Sequence, residues 1–303
     1  MARPHQPKVD PIEPQDSSPL NNAVAQRDRD IMAMVTGALH RKEVMLAFQP
    51  IMQVRSAEAP AFYEGFIRVM DESGRIIPAR EFMGTVETTE MGRIIDCLSL
   101  EMGLDALSRD NTLRLAINMS ARSIAYPRWG RTLRRGLKNC PTAAERLILE
   151  ISEDSAMVMP DIVLVFMTDM QKQGISFALD DFGAGMTSFR YLKQFLFDFI
   201  KIDGQFIRGI ADNADNQCMT RALVAIAREF DMATVAESVE NVRDAKILAD
   251  MGVDCLQGYF FGAPTVTPPW KSRSSSPPSA HCAPRLSRRG SSGKPHTARS
   301  TAA

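Results

Sequence analysis

A chain of 303 residues with 45% apolar and 24% charged side chains can bury the core of one α/β domain of about 250 residues, which excludes a fibrous or largely disordered protein. The formal net charge is zero, but the residues beyond Trp270 hold seven Lys or Arg and no acid, so positions 1–270 carry 29 basic against 36 acidic residues. That balance argues against a broad basic face, and no long nucleic acid is expected as a partner.

In chain order, residues 1–22 are rich in Pro, Gln, Asp and Asn and predict a disordered leader. This stretch has no apolar signal-peptide core, and no later run is long enough to span a bilayer. The five cysteines, Cys97, Cys140, Cys218, Cys255 and Cys282, are scattered and form no CxxC pair. They predict neither a disulfide framework nor a zinc site, and a reducing cytoplasm is the expected location.

From 23 to 268, short apolar runs alternate with amphipathic stretches. The runs MLAFQ, FYEGFIR, LRLAINMS, RLILEIS, SFALDD, DFIKID, TVAES and DCLQGY predict eight strands. The segments 155–174, 216–231 and 241–252 have helical spacing. This alternation points to a (β/α)8 barrel. Residues 269–303 are Ser-, Pro- and Arg-rich and predict a disordered basic tail.

Alternate residues on a strand share a face, and each predicted strand ends in a polar group. Ala178 is followed on its face by Asp180, Ile148 by Glu150, Ala116 by Asn118, Val235 by Glu237, Cys255 by Gln257 and Phe199 by Lys201, while Gln49 closes the first run and Glu64 lies in the second. In a barrel the C-terminal strand ends converge on one active site. Glu64, Asn118, Glu150, Asp180, Asp181 and Glu237 are oxygen donors with no His or Cys among them, which suits Mg²⁺ or Mn²⁺. Crowded carboxylates also call for a compensating cation.

Asp180 and Asp181 raise a geometric question, since neighbours on a strand point to opposite faces. Both can serve one site only if the chain bends, and the following FGAG supplies residues that allow it. Asp180 would then bridge two ions, with Asp181 at the second, in an arrangement able to clamp a phosphodiester. Lys201, in an apolar strand, needs carboxylate neighbours if it points inward. Glu240, three residues after Glu237, reads as the start of the next helix.

With these motifs assembled, residues 26–265 resemble the EAL-domain family of bacterial cyclic di-GMP phosphodiesterases. FQPI, INMSAR, LEISED, LDDFGAG, IKIDGQFI, AESVE and LQGYFF follow one another in that family's order. The resemblance implies a modified TIM barrel whose first strand runs antiparallel, and hydrolysis of cyclic di-GMP to linear pGpG with one or two Mg²⁺ or Mn²⁺ ions. It implies metal ligation by Glu64, Asn118, Glu150, Asp180 and Asp181, with Lys201 and Glu237 supporting the water. Glu153 would stabilise a loop, and Gln49, Arg68 and Gln257 would contact substrate. A homodimer through the barrel is compatible with it.

Two positions depart from the pattern. The signature triplet reads Glu64-Gly65-Phe66, and Ser238 stands where the family has Gly. Gly65 is expected to loosen its strand and Phe66 to enlarge a neighbour. The altered triplet, with no sensor or GGDEF cyclase motif in the sequence, motivates an alternative, a catalytically weak or inactive EAL-like module that binds cyclic di-GMP or a protein partner.

Overall fold

The computed structural model describes residues 19–185, 192–268 and 270. Most of the expected leader, residues 1–18, and the tail from 271 onward lie outside the described residues. The remaining leader positions, 19–22, open helix α1 (Pro19–Arg41), so ordered structure starts before the expected boundary at 23.

Eight strands close into a barrel: β1 (Val44–Gln53), β2 (Ser56–Met70), β4 (Leu115–Asn118), β5 (Leu147–Ser152), β6 (Ser176–Phe182), β7 (Phe199–Ile202), β8 (Ala233–Ala236) and β9 (Cys255–Gln257). Strand β1 pairs antiparallel with both β2 and β9, and the other barrel neighbours are parallel. A short β3 (Ile76–Pro78), which no run had predicted, pairs antiparallel with the end of β2. The eight predicted strands and the antiparallel first strand are all present.

The described helices are α1, α2 (Met83–Val86), α3 (Glu90–Arg109), α4 (Pro127–Asn139), α5 (Glu153–Val158), α6 (Pro160–Gln171), α7 (Gly204–Ile207), α8 (Ala214–Glu229) and α9 (Val242–Met251). Residues 155–174 hold two helices rather than one, because Pro160 has no N–H to continue the first and is well placed to begin the second. Helix α9 ends at Gly252, whose φ of 85° meets the left-handed requirement of a helix terminus.

The barrel interior is a layer of Ile51, Phe62, Ala116, Ile148, Ala178, Val235 and Cys255, all buried. Two residues further along each parallel strand, on the same face, stand the predicted polar groups: Glu64 after Phe62, Asn118 after Ala116, Glu150 after Ile148, Asp180 after Ala178, Glu237 after Val235 and Gln257 after Cys255. Gln49 precedes Ile51 by two because β1 runs the other way. The apolar layer is thus the floor on which the polar layer rests.

Candidate metal centre

Lys201 is the hub of the polar layer. Its side chain is 1% exposed, and Nζ lies 2.9 Å from Glu64 Oε2, 3.0 Å from Glu150 Oε2, 2.9 Å from Asp180 Oδ1 and 2.7 Å from Glu237 Oε1. Glu64 also accepts from Asn118 Nδ2 at 2.8 Å and from Gln257 Nε2 at 2.7 Å, and Gln257 donates to Gln49 Oε1 at 3.1 Å. Gln49 in turn donates to the Gly262 carbonyl. The predicted residues from seven strands are therefore joined in one network.

The paired aspartates sit at an irregularity. Between Leu179 and Phe182 the pairing of β6 with β7 slips, and Asp181 itself adopts φ 56°. The bend expected from FGAG begins at this aspartate, with Gly183 at φ 92° following. A bulge of this kind re-aims a side chain that would otherwise point away. Beside it, Glu153 Oε2 accepts from the Gly183 N–H at 2.9 Å, pinning the loop after Asp181.

One cation faces too many anions. Burial works against the charge of Glu64, but Lys201 and the hydrogen bonds from Gln257 and Asn118 hold its pKa below the usual carboxylate range. Glu150 is pushed well up by burial and by Glu64. Burial, with Asp180 alongside, lifts Glu237 to about 8 despite Lys201, and burial with Asp180 lifts Asp181 to about 6. Burial alone would lower Lys201, yet Asp180, Glu150, Glu237 and Glu64 together raise it well above its ordinary value.

The residues fit divalent cations. The donors are all oxygen, and Glu150 Oε1 is buried without a hydrogen-bond partner. Glu64, Glu150 and Asp180 present oxygens within 4.8 Å of one another, and so do Asp180, Asp181 and Glu237. Asp180 belongs to both groups. Asn118 adds a neutral oxygen donor at the same mouth.

One cleft is lined by Gln49, Phe66, Arg68, Arg80, Arg208, Ser238, Glu240, Gln257 and Tyr259, and Gln257 connects it to the carboxylates by donating to Glu64. Arg68 lies over the Phe66 ring at 5.6 Å, and its pKa is lowered by burial and by neighbouring Arg80. Glu240 does not start the next helix, which is capped by Asn241 and begins at Val242. Gly65 is packed rather than loose: a Cβ there would lie 2.9 Å from Ile117 Cδ1, so that methyl fills the space an alanine would take.

One acid went unnoticed in the sequence. Asp96 on α3 is buried and accepts from the Ser120 N–H at 2.9 Å and the Ser123 hydroxyl at 2.5 Å, tying down the turn after Asn118. Burial raises it to about 6. The only signal was an Asp inside an apolar helical stretch, RIIDCLSL.

The chain is 30% identical over 251 residues to the bifunctional diguanylate cyclase/cyclic di-GMP phosphodiesterase MucR of Pseudomonas aeruginosa, covering 80% of this chain and 36% of that protein. It is 29% identical over 238 residues to the cyclic di-GMP phosphodiesterase PdeF of Escherichia coli, covering 77% of this chain and 32% of the relative. The chain thus spans about a third of the length of these relatives. A solved MucR phosphodiesterase in complex with c-di-GMP superposes with a TM-score of 0.69 at 27% identity, covering 80% of this chain and 99% of that one. The FimX EAL domain from Pseudomonas aeruginosa, bound to c-di-GMP, has a TM-score of 0.71 at 24% identity over 78% of this chain and 97% of that one, a likeness of fold. With the EAL domain pattern matched over residues 32–264, the chain belongs to the EAL domain family.

Proposed function

We propose that this barrel is a metal-dependent phosphodiesterase that opens cyclic di-GMP to linear pGpG, lowering this second messenger in the bacterial cytoplasm. The observation that carries this reading is the pair of three-oxygen groups sharing Asp180, with Glu64, Asp180 and Asp181 lining a cleft that shares Phe66, Ala79 and Arg80 with the one holding Arg68. The ligands would be Glu64, Asn118, Glu150, Asp180 and Asp181, and Mg²⁺ or Mn²⁺ suits so compact a set of hard oxygen donors. A divalent cation bound there supplies charge for the phosphate oxygens and a water of lowered pKa.

The chain's own groups do the rest. Arg68 offers a fork of donors to a phosphate oxygen. Gln49 and Gln257, linked to each other and to Glu64, fix the wall against which the nucleotide rests. Lys201, an ammonium held by its carboxylate neighbours, orients a water, and the Glu237 carboxylate 2.7 Å away receives its proton. The water oxygen bonds to phosphorus as the bond from phosphorus to one ribose O3′ breaks, the leaving O3′ takes up a proton to become a 3′-hydroxyl, and the phosphate stays on the 5′ oxygen. Glu153 holds the Asp181–Gly183 turn in place.

The alternative, a binder without turnover, is motivated by the altered triplet Glu64-Gly65-Phe66. Ile117 fills the space beside Gly65, and the two oxygen groups that share Asp180 support turnover over binding alone. No helix among the described residues is long and apolar enough to cross a membrane. A homodimer through the barrel belongs to the same proposal, and Val158, Ile162 and Val165 on α5 and α6 are exposed apolar residues that support it. Incubation of the purified protein with cyclic di-GMP and Mg²⁺ or Mn²⁺, followed by chromatography of the nucleotides, tests the activity.

A further inference from the structure

Strand β4 ends at Asn118, and the sheet holds that residue from one side. Its backbone registers with Glu150 of β5, and the Met119 N–H donates to the Glu150 carbonyl at 2.9 Å. Pairing with β2 stops one residue earlier, at Gly65 and Ile117. The Asn118 side chain donates through Nδ2 to Glu64 Oε1 at 2.8 Å, which leaves Oδ1 as the atom for an ion. An amide oxygen carries no net charge to draw an ion in, so its worth as a ligand depends on placement. Whatever fixes the chain just beyond Asn118 therefore fixes a ligand.

That chain is a single turn, Ala121–Ser123, capped by Ser120, and buried groups hold it from two helices. From α3, Asp96 Oδ2 accepts both the Ser120 N–H at 2.9 Å and the Ser123 hydroxyl at 2.5 Å. From α5, Ser155 Oγ accepts the Ala121 N–H at 2.8 Å and lies 3.3 Å from Ser120 Oγ. Asp96, Ser120, Ser123 and Ser155 are all buried, so these bonds are shielded from competing water. Ser155 stands two residues after Glu153 on the same short helix, and Glu153 Oε2 accepts from the Gly183 N–H. The turn after Asn118 and the turn after Asp181 are thereby linked through α5. Asp96 also lines the cleft that Glu64, Asn118, Asp180 and Asp181 line.

We propose that Asp96 is a positioning residue of the metal centre: by holding the turn after Asn118 it places the amide oxygen, while Ser155 ties that turn to the helix bearing Glu153. The inference rests on the reading of Glu64, Asn118, Glu150, Asp180 and Asp181 as metal ligands, and it names the side chain that orients the one neutral member. Groups one layer behind a metal tune its affinity in this way, by fixing the orientation of a ligand they do not replace. A purely structural Asp96 would act with or without Asn118. A positioning one acts only while Asn118 is there to be placed.

Mn²⁺ titration of the full chain without nucleotide, read by the electron paramagnetic resonance of free Mn²⁺, separates the two. Asp96→Leu should weaken Mn²⁺ roughly 10- to 100-fold, the usual cost of losing a group that orients a ligand. Asp96→Asn, which keeps an acceptor for both donors, should stay close to the parent. Asn118→Ala should weaken Mn²⁺ by itself, and adding Asp96→Leu should cause no further loss. Ser123→Ala and Ser155→Ala, which remove single hydroxyls, should weaken Mn²⁺ by less, and they carry the test if circular dichroism shows that Asp96→Leu does not fold. Parent-like affinity in Asp96→Leu, or in both serine variants, would overturn the proposal. The same loss from Asp96→Leu with and without Asn118 would overturn the positioning role and leave the metal centre standing. A parent that binds no Mn²⁺ would overturn both.

Discussion

Asp180 and Asp181 are consecutive on β6, yet both reach one group of carboxylates with Glu237, because Asp181 turns to φ 56° where β6 slips against β7. The two are not equivalent. Asp180 also shares the deeper group with Glu64 and Glu150, and Lys201 Nζ lies 2.9 Å from it.

Asp180→Asn should therefore cost more than Asp181→Asn. The first weakens both oxygen groups, while the second leaves Glu64, Asn118, Glu150 and Asp180 able to hold one cation. Mn²⁺ titration of chelator-treated protein, followed by nucleotide assays, should rank activity as parent, Asp181→Asn, Asp180→Asn. Ca²⁺ should restore little turnover, since its looser coordination misplaces the attacking water. Parent-like activity in Asp180→Asn, or full recovery with Ca²⁺ alone, would contradict the shared-ligand geometry.

Lys201 neutralises part of a carboxylate cluster from the inside. Lys201→Met should lower the stability of the chelated protein by about 3–5 kcal/mol at pH 8, the cost of leaving buried charges unpaired. The loss should be smaller at pH 5, where the carboxylates take up protons. The sign follows from Glu237: its folded pKa of about 8 lies above the ordinary 4.5, so its contribution is fully present below about 4.5 and is lost as pH rises through about 8. Urea denaturation at the two pH values checks this, and a variant as stable as the parent at pH 8 would refute it.

Gly204 and Ser238 compete for one space: a Cβ at Gly204 would lie only 2.8 Å from Ser238 Cβ, and Ser238 adopts φ 56°. Gly204→Ala should destabilise by about 1–3 kcal/mol through overpacking. Ser238→Gly should stabilise by about 1 kcal/mol, since a non-glycine residue at positive φ is strained. The double variant should recover most of the Gly204→Ala loss, giving a coupling energy that a double-mutant cycle measures. Strict additivity would show that the two side chains do not meet.

Asp96 should leave a mark on the pH dependence of folding. Its carboxyl titrates at about 6 in the folded chain against an ordinary 3.8, so stability is fully present below about 3.8 and falls by about 3 kcal/mol as pH rises through about 6. Asp96→Asn keeps an acceptor for Ser120 and Ser123 and removes the titration. The stability difference between parent and variant should therefore shift in the variant's favour between pH 4 and 7. A constant difference over that range would rule out a buried, titrating Asp96.

The barrel is legible because each parallel strand repeats one pattern, an apolar interior residue followed two positions later by a polar group, and the register slips of β6 and β1 come after Leu179 and after Ile51. The antiparallel first strand came from resemblance, although a physical signal was present: only Val54 and Arg55 separate β1 from β2, and parallel neighbours need a connection of a dozen or more residues. Other features depend on tertiary placement. Asp96 looks like any helical acid until α3 packs its face inward, and Arg208 and Glu240 flank helices whose termini only the closed barrel brings together. The bend at Asp181 was assigned to the glycines because φ above zero is usual for Gly, whereas the slip against β7 imposes it on an aspartate.

The most direct measurement is single-turnover conversion of cyclic di-GMP by the purified chain at saturating Mg²⁺ or Mn²⁺, with products separated by chromatography and Glu64→Gln in parallel. The parent should yield linear pGpG, chelator should stop the reaction, and Glu64→Gln should bind the nucleotide but release no product. Tight binding of cyclic di-GMP by the parent with no pGpG at any metal concentration would contradict the account and leave the barrel a receptor.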